Sequence, residues 1–284
     1  RSTMADGPLT GTVAIVTGAG SPIGMGRAMT LALAGAGARV ATLDIDEEAL
    51  ERSANQAREI GGDDAVLPLV ASVASASDAE NAVSRTVSEL GGLHILVNNA
   101  GTNQRNVGFD VGITANFWEI ETEAWSKVVA VNFSGPFFMA HAAVGHMMEQ
   151  GWGRIIGVTT SLDTMIRNQM TPYGPSKAGH EALMAVMAQD LEGTGVTANI
   201  LVPGGPVNTN LLPPDTPFDR EEIIQPDVMQ VPVVWLASDA SGEISGRRFI
   251  AYYWDESLPL NERIEKSSAP AAWPQLGAQT VWHR

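Results

Sequence analysis

A short β-branched run, Thr12 to Thr17, ends in a cluster of glycines and passes directly into a helical pattern carried by Ala28, Leu31, Ala32 and Ala36. This strand, glycine turn and helix form the first unit of a beat that repeats along the chain. Further strands are predicted at Arg39 to Leu43, Ala65 to Val70, His94 to Val97, Arg154 to Val158 and Val196 to Val202, and a last one at Arg247 to Tyr252. Helical periodicity falls between them at Glu47 to Ile60, Asp78 to Leu90, Glu121 to Gln150, Tyr173 to Glu192 and Asp227 to Ala237. Crossovers of this length force parallel pairing, and a parallel sheet must be covered by helices on both faces. The expected architecture is α/β: one large domain over residues 8–251 and a C-terminal extension over 252–284.

The run Thr17-Gly18-Ala19-Gly20-Ser21-Pro22-Ile23-Gly24-Met25-Gly26 lies where a doubly wound sheet binds a dinucleotide, at the turn from first strand to first helix. Glycines let backbone approach a pyrophosphate, and the positive end of the helix holds phosphates without a basic side chain. Asp44, closing the second strand, lies at the distance past the glycines expected for a carboxylate that accepts from a ribose 2′-hydroxyl. It would repel a 2′-phosphate, and no arginine stands in the next few residues to receive one, so NAD is favoured over NADP. A helix cap is the plainer role for Asp44, but Asp46, just before Glu47-Glu48, suits that role better.

Tyr173 and Lys177 carry the chemistry. At i,i+4 on a helix they stand side by side, and a neighbouring cation pulls the pKa of a phenol down from its ordinary value of about 10. With three tyrosines and three lysines in 284 residues, that spacing rarely arises by chance. A net charge of −15 argues against nucleic acid or a membrane surface as partner. With no cysteine there is no disulfide and no thiolate nucleophile, and the cytoplasm is the default compartment. His141 and His146 are five residues apart, the wrong spacing for two ligands on one helical face, so no metal site is expected. No apolar run approaches a membrane span, and Arg1-Ser2-Thr3 reads as a short remnant before a start methionine, Met4, with no signal peptide.

To these motifs the chain adds Asn98-Asn99-Ala100-Gly101 after the fourth strand, Asn132 within Val131-Asn132-Phe133, Thr160-Ser161 after the fifth strand and Pro203-Gly204 after the sixth. Taken together over roughly residues 8 to 251, it resembles the classical short-chain dehydrogenases/reductases. The resemblance implies a Rossmann-type, doubly wound parallel sheet of strand order 3-2-1-4-5-6-7, a nicotinamide cofactor at the carboxyl ends of the strands, and hydride transfer at a carbonyl carbon. It implies Tyr173 as general base and acid, Lys177 as its activator and a ribose ligand, a serine hydroxyl on the substrate oxygen, and Asn132 holding a relay water. The family's usual spacing lands on Thr160, but Ser161 is the serine and is favoured here. Implied cofactor contacts are Gly18, Gly20, Ser21, Ile23, Gly24, Met25, Asp44, Ile45, Ser72, Val73, Asn99, Ala100, Gly101, Tyr173, Lys177, Pro203, Gly204, Val207 and Thr209. The chain departs from the family pattern in two extra turn residues, Pro22-Ile23, in Ser72 where an aspartate is usual, and in an added Gly205-Pro206 step.

On the substrate side, Arg105 or Arg167 could pair with a carboxylate, sulfonate or phosphate, or each could be a surface arginine. Met165, Met170, Leu211, Leu212 and Phe218 would instead build an apolar pocket. Tryptophans in the tail, Trp254, Trp273 and Trp282, are expected to pack on this subunit or a neighbour. The resemblance implies a homo-oligomer, tetramer or dimer, which the small-residue face Ala178, Ala182, Ala185, Met187, Ala188 would suit. The expected function is NAD-dependent oxidation of a small-molecule secondary alcohol, or reduction of its ketone, the substrate being a sugar, polyol or hydroxy acid. A 3-oxoacyl-type or other carbonyl reductase is one alternative, and a dinucleotide-binding sensor that keeps the fold without the chemistry is another.

Overall fold

The computed structural model describes residues 7–109 and 114–276. Eight strands form one sheet: β1 (Val13–Thr17), β2 (Arg39–Asp44), β3 (Val66–Val70), β4 (Ile95–Asn98), β5 (Gly153–Val158), β6 (Val196–Val202), β7 (Arg247–Ile250) and β8 (Ser268–Pro270). Their order is β3-β2-β1-β4-β5-β6-β7-β8, the expected seven-strand order with one strand added. The first seven run parallel, and β8 pairs antiparallel with β7. The helices are α1 (Met25–Gly35), α2 (Glu47–Gly61), α3 (Ala76–Leu90), α4 (Thr122–Val129), α5 (Gly135–Gln150), α6 (Leu162–Ile166), α7 (Tyr173–Asp190), α8 (Gln230–Ala237) and α9 (Leu260–Ser267).

Every residue of β1, β5 and β6 is buried, because helices cover both faces of the sheet and no side of these strands meets water. One core layer gathers Met29, Leu33, Leu236 and Phe249, and the opposite layer gathers Leu96, Met139, Met147 and Ile200. Each fully buried side chain of this size stabilises the fold by about 1.5–3 kcal/mol. The helix starts follow local chemistry. Asp46 caps α2 by accepting from Ala49 N at 2.9 Å, which leaves Asp44 for other work, and Ser75 caps α3 by accepting from Asp78 N.

The predicted helix over Glu121 to Gln150 is interrupted by a π-helical turn, Ala130–Ser134. By length and composition the run Thr122–Gln150 could cross a bilayer, yet Met139, Ala140, Ala143 and Met147 pack into the sheet-facing core. The stretch between the strand at Arg154 to Val158 and the helix at Tyr173 holds the short helix α6. β7 stops at Ile250 rather than Tyr252, and the tail supplies both α9 and β8. Trp254 is buried against Trp235, ring centroids 4.7 Å apart, with the Arg263 guanidinium 5.2 Å from its ring centre. Trp273 is half-buried; Trp282, Arg1 and Met4 lie outside the described residues. Ala185, Met187 and Ala188 on α7 are half-buried and pack in part against the chain's own core.

Candidate active site

The carboxyl ends of β1, β4, β5 and β6 bring the motif residues to one edge of the sheet. Gly18 has a positive φ of 65°, and a Cβ there would lie 2.8 Å from Ala100 Cα. A Cβ on Gly26 would lie 2.1 Å from Gly18 O and 2.6 Å from Asn99 Nδ2, so the turn and α1 touch through backbone alone. Asn99 secures this contact by donating Nδ2 to Thr17 O (2.9 Å) and Gly18 O (3.1 Å), while Thr17 Oγ1 accepts from the amides of Asn99 and Ala100. The two extra residues close a turn in which Gly24 N donates to Ser21 O at 2.9 Å. Gly24 then caps α1 without a side-chain acceptor, and the first turn carries no acidic residue, leaving its N–H groups available to an anion.

Asp44 faces that cradle. Its Oδ2 accepts from Gly20 N (2.8 Å) and its Oδ1 from Ile45 N (2.8 Å) and Asp46 N (3.2 Å), beside an Ile45 side chain that is 75% exposed. Ser72 N donates to Asp78 Oδ2 at 2.9 Å, a contact the sequence did not suggest. Val73 is buried, its side chain packed where a Cβ on Gly135 would come within 2.9 Å. These residues fit a dinucleotide: a glycine cradle with open amides for phosphates, a carboxylate at its rim for a ribose, and an exposed aliphatic face for a base.

Tyr173 opens α7 and Lys177 follows one turn later. Burial pushes the Tyr173 phenol up to about 12, opposed in part by a hydrogen bond with the Thr160 side chain. Burial also pushes Lys177 down to about 8, and its Nζ donates to Val158 O at 2.8 Å. Thr160 is thus the hydroxyl set beside the phenol, one residue before the expected Ser161. Ser161 is the N-cap of α6; its Oγ accepts from Thr164 N (3.2 Å) and shares a 2.8 Å hydrogen bond with Thr164 Oγ1. The unforeseen short helix claims that serine for its own start.

Asn132 lies in the π-helical turn, fully buried, where its Oδ1 accepts from Thr102 N (2.8 Å) and its Nδ2 donates to Thr102 O (2.9 Å) and Ser176 Oγ (3.0 Å). A Cβ on Gly101 would lie 3.3 Å from Lys177 Nζ and 3.7 Å from Asn132 Oδ1, so these three residues meet at one point. His180, one turn beyond Ser176, is buried with neither ring nitrogen bonded; burial and then the charge of Lys177 hold its pKa well below the usual range.

The loop after β6 starts at Pro203 and Gly204, the latter at φ 113°. Val207 and Thr209 are both buried, Thr209 Oγ1 accepting from Leu211 N at 3.3 Å. Arg220 stiffens this loop by donating to Asn208 Oδ1 (2.9 Å), Leu212 O (3.1 Å) and Pro213 O (3.0 Å). Asn103 ties it to the loop after β4 through Leu211 O (3.0 Å), and Asn210 reaches the glycine turn at Ser21 Oγ (3.2 Å). Between these segments opens a cleft of about 550 Å³ lined by Ile23, Arg105, Asn106, Asn208, Asn210, Leu212, Pro214 and Arg220. Arg105 lines it; Arg167 stands exposed at the end of α6 and is not part of that lining.

Residues 12–218 match the family model for short chain dehydrogenases. The chain is 33% identical over 251 residues to the D-threitol dehydrogenase of Mycolicibacterium smegmatis, covering 84% of this chain and 90% of that one. It is 30% identical over 248 residues to a 3-oxoacyl-[acyl-carrier-protein] reductase of Thermotoga maritima, covering 84% and 95%. Among solved structures, the 3-ketoacyl-(acyl-carrier-protein) reductase of Brucella melitensis complexed with NADH superposes with a TM-score of 0.71 at 28% identity, covering 84% of this chain and 95% of that one. With the sheet order in agreement with these matches, the chain belongs to the short-chain dehydrogenase/reductase family of oxidoreductases.

Proposed function

We propose that this protein is an NAD(H)-dependent oxidoreductase that interconverts a polar secondary alcohol, such as a sugar, polyol or hydroxy acid, and its ketone. The observation that carries the reading is the Tyr173 phenol set beside Thr160, one helical turn before Lys177, at the sheet edge where the glycine cradle and Asp44 lie. Bound NAD would supply the hydride acceptor or donor. The chain's own residues do the rest: Thr160 holds the substrate oxygen, and Tyr173 takes its proton in oxidation or returns it in reduction. A phenol near 12 is a poor base in neutral water. The Lys177 ammonium, which persists below about pH 8, and the cationic oxidised ring of bound NAD would both favour the phenolate over the neutral phenol. Asn132, fixed on Thr102 and Ser176, lies beside Lys177 to hold a water that carries the proton outward.

Support for a polar substrate comes from the amide-rich cleft, with Arg105 free to meet an anionic group, and from a relative named for a polyol. The 3-oxoacyl reductase relative supports the alternative of carbonyl reduction, and Asp44 weighs against NADPH in that role. A homo-oligomer is proposed through the exposed Trp125, Phe133 and Phe137, and a cytoplasmic setting through the cysteine-free composition.

Asp44→Ala is expected to relax the preference for NAD over NADP by roughly ten-fold or more, as the carboxylate that repels a 2′-phosphate is lost. Kinetics with both coenzymes check this, and an unchanged ratio removes Asp44 from the role. Thr160→Val should lower kcat by roughly 10²–10³-fold, in line with removal of a single oxyanion donor. Ser161→Ala should cost only about 1 kcal/mol of stability, the worth of a helix cap. Equal losses of turnover in the two variants would return the role to Ser161.

A further inference from the structure

We propose that Arg248 and Glu181 are positioning residues for the Thr160 hydroxyl, and that the C-terminal tail anchors them. This rests on the oxidoreductase reading above. Glu181 stands one turn beyond Lys177 on α7 and is 2% exposed. Its Oε2 accepts from Arg248 Nη1 at 2.7 Å and from Thr159 Oγ1 at 2.8 Å. From β7, the same guanidinium sends Nη2 to Thr160 O at 2.6 Å. One planar fork thus grips both the helix that carries Tyr173 and the strand end that carries Thr160, the two partners of the hydroxyl contact.

The remaining carboxylate oxygen, Oε1, accepts from Ala272 N at 3.3 Å, just beyond β8. Ala272 has φ 58°, a conformation uncommon for a residue with a Cβ, and it occurs where that amide meets Glu181. β8 itself is registered with Ala269 opposite Arg248, and Ala271 N donates to Gly246 O at 2.8 Å. The tail therefore closes the rear of the site. Nothing in the sequence pattern pairs residues 181, 248 and 272; the only hint is a basic pair, Arg247-Arg248, entering an otherwise apolar strand.

Two variants separate positioning from folding. Arg248→Lys keeps a cation for Glu181 but lacks the fork that reaches both Glu181 and Thr160 O. The double variant Arg248→Met with Glu181→Gln leaves no buried charge unpaired. In both, kcat should fall by roughly ten- to hundred-fold, as for a small misplacement of a reacting group, with KM and NAD affinity changed by less than about three-fold. A second readout needs no turnover: carbon-13 NMR of ring-labelled tyrosine, with the Tyr173 signal assigned by Tyr173→Phe among only three tyrosines. That signal should shift in both Arg248 variants in the direction seen for Thr160→Val. Ala272→Pro, which lacks the N–H and cannot adopt a positive φ, should shift it the same way. An unmoved signal in the Arg248 variants overturns the proposal whether or not a substrate is known, and an unmoved signal in Ala272→Pro removes the tail from it. Wild-type protein inert toward every alcohol would instead count against the oxidoreductase reading and leave the NMR result standing.

Discussion

Replacing Tyr173 by Phe should lower turnover by about 10²–10⁴-fold, the worth of a positioned general acid and base, while NAD affinity changes by less than about three-fold. The ring keeps its packing and only the hydroxyl is lost. Among the described residues, the nearby Lys177 and His180 are not placed to substitute. Lys177 is committed to Val158 O, and His180 is buried, held neutral and packed against the strand at Gly157. Steady-state kinetics and a calorimetric titration with NAD together test this. Turnover near the wild-type value would remove Tyr173 from proton transfer.

The other large effect is expected at Gly26. A methyl group there would overlap Gly18 O, a backbone atom that cannot rotate aside, and would also strike Asn99 Nδ2. Either α1 moves away from β1 or the glycine turn opens, and each outcome separates the phosphate-binding amides from the Asp44 rim. Gly26→Ala should cost about 1–3 kcal/mol of stability through overpacking and weaken NAD binding by roughly ten-fold or more. Thermal unfolding and titration with NAD measure the two parts. Wild-type affinity in that variant would show that the turn does not hold the coenzyme.

Seven of the eight strands were legible in the sequence, most plainly the buried parallel strands rich in apolar residues, such as Ile95–Asn98 and Val196–Val202. β8 was not. A strand of three residues, Ser-Ala-Pro, has no period to detect, and only its pairing with β7 defines it. The site was readable where chemistry is tied to local spacing: Tyr173 with Lys177 on one helix, and glycines at a strand-to-helix turn. It was not readable where a tertiary choice decides between neighbours. Thr160 and Ser161 are both hydroxyls, and α6, too short to announce itself, takes Ser161 as its cap and leaves Thr160 for the phenol. The π-helical turn that buries Asn132 likewise has no signature in an unbroken helical pattern. Arg105 and Arg167 were equivalent as sequence; the folding of three loops brought only the first to the cleft.

The central claim is that the Tyr173 phenol moves a proton while bound NAD exchanges a hydride with a secondary alcohol. The most direct test mixes the protein and NAD with a panel of polyols, sugars and hydroxy acids and follows the near-ultraviolet absorbance of the reduced nicotinamide. At least one alcohol should produce that absorbance with wild-type protein and none with Tyr173→Phe. Protein that binds NAD yet reduces it with no alcohol, and oxidises NADH with none of the matching ketones, would contradict the account.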